Sequence, residues 1–420
     1  MTPALLRRKT PADVTAVRRA PVDRETLTAA AALLDELRAG GDEAVVRLAI
    51  RFGDRRPGEP IVHDRRALAE AHAALPAEAR AVLARTADRI AAFARQQRAA
   101  LGSASLALPG GAAGHDLVPV ERVGCYAPGG RFPLPSSVLM TAVTARVAGA
   151  ARVWVASPRP ALATLAAAHL AGADGLLALG GVQAIHALAH GFGPAAPADV
   201  LAGPGNRWVT AAKQLLAGTV GIDMLAGPSE LVVLADADAD PALVAADLLA
   251  QAEHDDDALP ILVTTHAPLI PAVERALADQ LADLDSAATA RAALAHGYAI
   301  ATADLDEAIA VVEALAPEHL AVMLADPAAV ARRVRHAGAL FLGSLAAEAL
   351  GDYGAGPNHV LPTGGTARFT GGLSVLTFLR MRTWLRLDDA RAAAGLIADA
   401  AALARIEGLE AHARSAARRA

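Results

Sequence analysis

The chain has 420 residues, a net charge of −5, 54% hydrophobic residues and only 3% aromatic ones. Its length exceeds what one small core can serve, so two or more domains are expected. The balance fits a helix-rich globular protein and excludes a nucleic-acid binder with a basic face, while the single Cys125 excludes a disulfide framework and a cysteine zinc site.

Residues 1–25 read as an N-terminal arm. They carry Arg and Lys but no apolar run, so no signal peptide is expected and the cytoplasm is the default setting. Apolar residues at helical spacing (Leu27, Ala30, Leu33, Leu34, Leu37) predict a helix over 24–52, broken at Gly40-Gly41. Residues 65–100 read as helical with a break at Pro76, and 109–114 as a turn cluster. A strand is predicted over 118–126. Residues 138–157 are interrupted by Arg146 and Arg152 and are too weakly apolar for a membrane span.

From there strands and helices alternate to about residue 342, which predicts an α/β fold with two mainly parallel, Rossmann-like sheets. The expected division is a discontinuous first α/β domain (26–125 and 230–372), a second, cofactor-facing α/β domain (126–229), and a helical tail (373–420).

Two strand–glycine–helix loops, Gly180-Gly181-Val182-Gln183 and Gly203-Pro204-Gly205-Asn206, have the form that presents backbone N–H groups to anions. Neither is a G-x-G-x-x-G fingerprint, so the usual dinucleotide grip is unsupported. Asn206 and Lys213 in one loop–helix unit point to a phosphate- or nucleotide-facing surface; Lys213 is one of only two lysines. Gln251 and His254 stand three apart on a helix and share a face, so both can address one ion. Further ligands must be N or O donors, with Asp352 a candidate, and such a set suits zinc or manganese-like ions. Glu318-His319 follows Pro317 at an element end, an acid beside a base suited to proton transfer. The stretch 351–363 gathers Asp352, Asn358 and His359 among three glycines and two prolines.

Together these motifs resemble the histidinol dehydrogenase family from about Gly40 to the end. The matching stretches are Val123-Gly-Cys-Tyr-Ala-Pro-Gly-Gly130, Pro135-Ser-Ser-Val-Leu-Met140, Gly180-Gly-Val-Gln-Ala-Ile185 and Gly203-Pro-Gly-Asn206. They continue through Gly221-Ile-Asp-Met-Leu-Ala-Gly-Pro-Ser-Glu230, Gln251-Ala-Glu-His254, Pro317-Glu-His-Leu320, 351–363 and Glu407-Gly-Leu-Glu-Ala-His412. The resemblance implies a zinc- and NAD-dependent enzyme that oxidises L-histidinol to L-histidine through the aldehyde, with two NAD consumed. It also implies an intertwined homodimer whose C-terminal tail reaches the neighbouring active site. Carried over, zinc would be held by Gln251, His254, Asp352 and His412. Glu318 would activate water and His319 would act as base. Ser229, His359 and Glu407 would line the substrate site, and Tyr126, Gln183 and Asn206 would meet NAD.

Departures from the family pattern are Val182, His186, His190, Thr144 and the Ala346-Ala347-Glu348 stretch. Three rival readings remain at this level. One is a paralogous zinc- and NAD-dependent dehydrogenase of another amino alcohol or a sulfonated diol. The others are a non-catalytic metal- or nucleotide-binding protein and a zinc hydrolase. The last has no use for two glycine-rich loops.

Overall fold

Two six-stranded sheets carry the architecture, seen in a computed structural model that describes residues 4–14, 20–55, 57–129 and 133–420. The first sheet runs Arg7–Lys9, Tyr298–Ala301, Leu259–Thr264, Glu230–Ala235, His319–Met323, Ala339–Leu342, with every neighbouring pair parallel. Its central strands Glu230–Ala235 and Leu259–Thr264 are buried along their whole length, because helices cover both faces. The second sheet runs Val62–Asp64, Gly175–Leu177, Arg152–Ala156, Arg122–Tyr126, Val200–Ala202, Gly221–Ile222, and is parallel apart from the first pair. The predicted α/β class with mainly parallel sheets holds.

The expected grouping of residues 26–125 with 230–372 does not match the packing. Helix Arg24–Arg51 lies against helices Gly181–His190 and Arg207–Leu216, and its Leu34, Leu37, Val45 and Leu48 join their core. Strand Val62–Asp64 pairs with Gly175–Leu177, and helix Ala77–Ala99 covers helix Thr144–Ala148. These segments therefore complete the second sheet's unit. The arm crosses over instead: Arg7–Lys9 adds an edge strand to the first sheet. Hydrophobic periodicity gives each helix its apolar face but not the partner for that face.

Helix Arg24–Arg51 starts at Asp23, whose carboxylate accepts from the Thr26 N–H. It kinks at Gly41, where φ is +55°. Pro76 separates helices Arg65–Ala74 and Ala77–Ala99 as expected.

The tail differs more. Leu379–Leu387 is a strand, paired antiparallel with Gly111–Pro119, which in turn pairs with Ala104–Leu108. Only Ala394–Ile406 and Glu410–Ala417 are helical beyond it. Leu-Arg-Met-Arg at its start alternates apolar and charged residues, a strand period masked by the arginine-rich composition. The turn expected over 109–114 is confined to its first residues, since the strand starts at Gly111.

Under the loop at Gly203 sits a buried ion pair between Lys213 and Asp223. The Lys213 ammonium also donates to the Gly203 carbonyl, and the Asp223 carboxylate accepts the Gly203 N–H. Removing one partner strands a charge in the core. Lys213→Ala is expected to lower unfolding free energy by about 3–5 kcal/mol, measured by denaturant titration; an unchanged midpoint would contradict this.

Candidate active site

The site forms where two adjacent strands of the first sheet begin. Leu231 is in register with His319, so Ser229 and Glu230 arrive beside Glu318 and His319. The Ser229 hydroxyl (2.7 Å) and the Glu230 N–H (2.8 Å) both donate to Glu318 Oε2. Burial pushes the Glu318 carboxyl up to about 7, against the pull of those two donors. His319 Nδ1 lies 3.0 Å from the Glu230 carbonyl. A carbonyl only accepts, so Nδ1 carries the proton and Nε2 keeps its lone pair. That Nε2 is buried and has no hydrogen-bond partner among the described residues. Burial holds the His319 pKa below the usual range, opposed by Asp352.

Helix Pro241–Ala252 follows the Glu230–Ala235 strand and runs back along the sheet, so its last turn and the residues just after it reach the same edge. Gln251 there is fully buried, and neither polar atom of its amide has a partner among the described residues. His254 keeps an accessible edge at the mouth; crowding by surrounding atoms, then the nearby His319, lowers its pKa. The short helix Glu348–Tyr353 supplies Glu348 and Asp352 from one face. Ligand atoms of His254, Glu348 and Asp352 lie within 4.8 Å of one another, a spacing able to hold a metal ion. Burial, and then the neighbouring carboxyls Asp352, Glu318 and Asp247, raise Glu348 well above the ordinary range. Asp352 is raised to about 6 by burial, with His319 opposing. Buried carboxyls this close resist simultaneous ionisation, so a cation placed among them is strongly favoured.

The loop 354–363 ties this edge to the second unit. His359 Nδ1 donates to the Asp352 carbonyl (3.2 Å), which leaves Nε2 to accept from the Ser137 hydroxyl (3.3 Å). Asn358 Nδ2 donates to the Met140 carbonyl at 2.9 Å. Met140 lies in the π-helical turn Leu139–Val143, whose widened ladder leaves carbonyls to be met from outside, and the Thr144 hydroxyl meets the same oxygen.

A family model described as histidinol dehydrogenase matches residues 17–420. A histidinol dehydrogenase of Thermus thermophilus is 49% identical over 384 residues, 91% of this chain and 92% of that protein. One from Caulobacter vibrioides is 45% identical over 98% of this chain and 93% of its own. The crystal structure of histidinol dehydrogenase from Elizabethkingia anophelis superposes with a TM-score of 0.93 at 29% identity, covering 100% of this chain and 99% of that one. The chain belongs to the histidinol dehydrogenase family.

Of the residues expected from sequence, the fold gathers Ser229, Gln251, His254, Glu318, His319, Asp352 and His359 at one edge. Glu407 and His412 stand exposed by and on the C-terminal helices, and His412 is not in the metal-spaced group. Tyr126, at the end of a strand of the second sheet, and Gln183, on the helix Gly181–His190, are buried, while Gly130 of the stretch 123–130 lies outside the described residues.

The expected anion loops are corrected. The Gly203 N–H is taken by Asp223, and Lys213 is buried against that carboxylate instead of facing a phosphate. The Asn206 carbonyl oxygen caps helix Arg207–Leu216, accepting from Trp208 and Val209 N–H groups. A Cβ at Gly203 would lie 2.0 Å from the Tyr126 carbonyl, at a φ of +121°, so close packing explains that glycine without a ligand.

Sequence reasoning missed Glu348 as a site residue, though its place four residues before Asp352 in one helix was the available signal. Ser137 had no signal beyond its stretch. Because the Ser229 hydroxyl stabilises the charged form of Glu318, Ser229→Ala is expected to raise the Glu318 pKa above about 7. Carboxyl NMR or infrared titration would measure it, and an unmoved or lowered value would contradict the assignment.

Proposed function

We propose that this chain is a cytoplasmic, zinc-supported enzyme that oxidises L-histidinol to L-histidine through L-histidinal, consuming two NAD. The observation that carries the reading is the pairing of a basic His319 Nε2 with an unsatisfied N/O donor cluster beside it. Gln251, His254 and Asp352 would hold zinc; the buried Gln251 amide, with no partner among the described residues, suits that role. His412 from a second copy of the chain would complete the set. Zinc, when bound, supplies Lewis acidity and a template that orients an imidazole and an amine. NAD, when bound, supplies the hydride acceptor for each oxidation, with Tyr126, Gln183 and Asn206 as its contacts.

His319 Nε2 takes the proton of the substrate hydroxyl as the first hydride leaves the carbinol carbon. Its Nδ1–H, held on the Glu230 carbonyl, keeps the ring aimed and stabilises the imidazolium that forms. Glu318 then takes a proton from the water that adds to the aldehyde carbon. His319 takes the hydroxyl proton of that hydrate as the second hydride leaves, giving the carboxylate. Ser229 keeps Glu318 oriented between these steps. Glu348, buried against Asp352 and His319, is placed to accept the substrate ammonium. His359 and the second subunit's copy of Glu407 would close the substrate site.

A homodimer is supported by the apolar side chains that the C-terminal segment leaves exposed, Met381, Leu385, Leu403 and Ile406 among them. No described helix is long and apolar enough to cross a membrane.

Purified protein with L-histidinol and NAD should yield two NADH per substrate; turnover of only another alcohol or diol would favour the paralogous reading. Glu318→Gln should reduce the yield toward one NADH and slow the aldehyde step by about 10²-fold or more. Glu318 acts when deprotonated, and its carboxyl sits near 7, so the aldehyde step should accelerate as pH rises through about 7. A flat profile across that range would contradict the base assignment. Ile406→Asp should give monomers by light scattering together with loss of turnover; an active monomer would refute the shared site.

A further inference from the structure

Asp54 was given no role by its sequence context, yet it is buried at the carboxyl edge of the second sheet, 6% exposed. Its Oδ2 accepts from the Gly180 N–H at 2.8 Å and from Gln183 Nε2 at 2.5 Å. Its backbone is clamped at both ends. The Asp54 N–H donates to the Ala49 carbonyl at 2.8 Å, and its own carbonyl accepts from the Arg159 N–H at 3.0 Å. Arg159 adopts a left-handed φ of +44°, a conformation that only surrounding structure sustains in a residue with a side chain.

Two consequences follow from donor and acceptor chemistry. The Gly180 N–H that leads into helix Gly181–His190 is occupied by the Asp54 carboxylate, so that donor is not offered to a phosphate. A carboxylate oxygen accepting from a primary amide can meet only its nitrogen, so Asp54 fixes which way the Gln183 amide faces. Its carbonyl Oε1 is thereby the face turned away from Asp54. An acceptor recognises a donor, such as a ribose hydroxyl or a carboxamide NH₂, and does not recognise a phosphate oxygen.

We propose that Asp54 is a positioning residue for the cofactor: it orients Gln183 so that the amide carbonyl meets a hydroxyl or carboxamide donor of the dinucleotide. The proposal rests on the assignment of Gln183 to NAD above, and the test separates the two.

NAD affinity is measured by equilibrium titration of the full-length protein, alongside KM for NAD and for histidinol and the melting temperature. Gln183→Ala should weaken NAD about tenfold, the scale of a lost buried hydrogen bond. Asp54→Leu should do the same with histidinol KM unchanged, and the double variant should bind no more weakly than either single one. Asp54→Asn keeps an acceptor oxygen and should stay within about twofold of the unaltered protein. Gln183→Glu sets two carboxylates together and should bind more weakly than Gln183→Ala; adding Asp54→Asn, whose amide can donate to the new carboxylate, should recover part of that loss.

Unchanged NAD affinity in Gln183→Ala would overturn the cofactor assignment itself. Loss in Gln183→Ala with none in Asp54→Leu, or additive losses in the double variant, would overturn the positioning role. If Asp54→Leu does not fold, Gln183→Glu and its Asp54→Asn rescue decide the question alone, and absence of rescue overturns the proposal.

Discussion

The hydrogen bond from His319 Nδ1 to the Glu230 carbonyl joins two neighbouring parallel strands and sets the chemistry of one imidazole. Parallel register brings both strand starts to the same edge, so Ser229, Glu230, Glu318 and His319 meet although 89 residues separate the bonded pairs. If the register slipped by one residue, the side chains would change faces and the donor would lose its carbonyl. The rest of the site is arranged around this contact. The Glu318 carboxylate is held by two donors on one side of it, and His319 Nε2 lies 3.9 Å from Asp352 on the other.

Burial is what makes these groups useful. In water Glu318 would be a weak carboxylate base; in the core it is raised to about 7. The same burial gathers Glu348, Asp352 and Asp247 at high energetic cost unless a cation sits among them, and buried atoms without partners mark the place. The site is therefore poor in internal satisfaction by construction, the usual trade between stability and function.

The two sheets contribute opposite edges. The first offers the amino ends of its strands, where Glu318 and His319 sit, to the proposed proton chemistry. The second offers its carboxyl ends, the common ligand edge of such sheets, where Tyr126, Gly180 and Gln183 sit. Loop 354–363 holds the edges together through His359 on Ser137 and Asn358 on Met140. Asp54 and Asp223 each take one glycine N–H, at Gly180 and Gly203, of the kind that glycine-rich loops otherwise present to phosphates. Loops that look alike in sequence thus differ in what they can bind.

Much of this was legible in the chain itself. Helix and strand periodicity identified the α/β class, and glycine and proline marked the breaks at Gly41 and Pro76. Residue chemistry at fixed spacing singled out Gln251 with His254, and Glu318 with His319, because short-range geometry on a helix or at a strand start follows from local sequence. Tertiary structure alone decided which sheet the helix at 24–51 covers, since an apolar face does not name its partner. It also decided that 379–387 is a strand, that Lys213 is buried against Asp223, and that Glu348 joins the metal-spaced group. Each of these depends on which distant group supplies the complementary charge, hydrogen bond or apolar surface, and that information belongs to the packed chain as a whole.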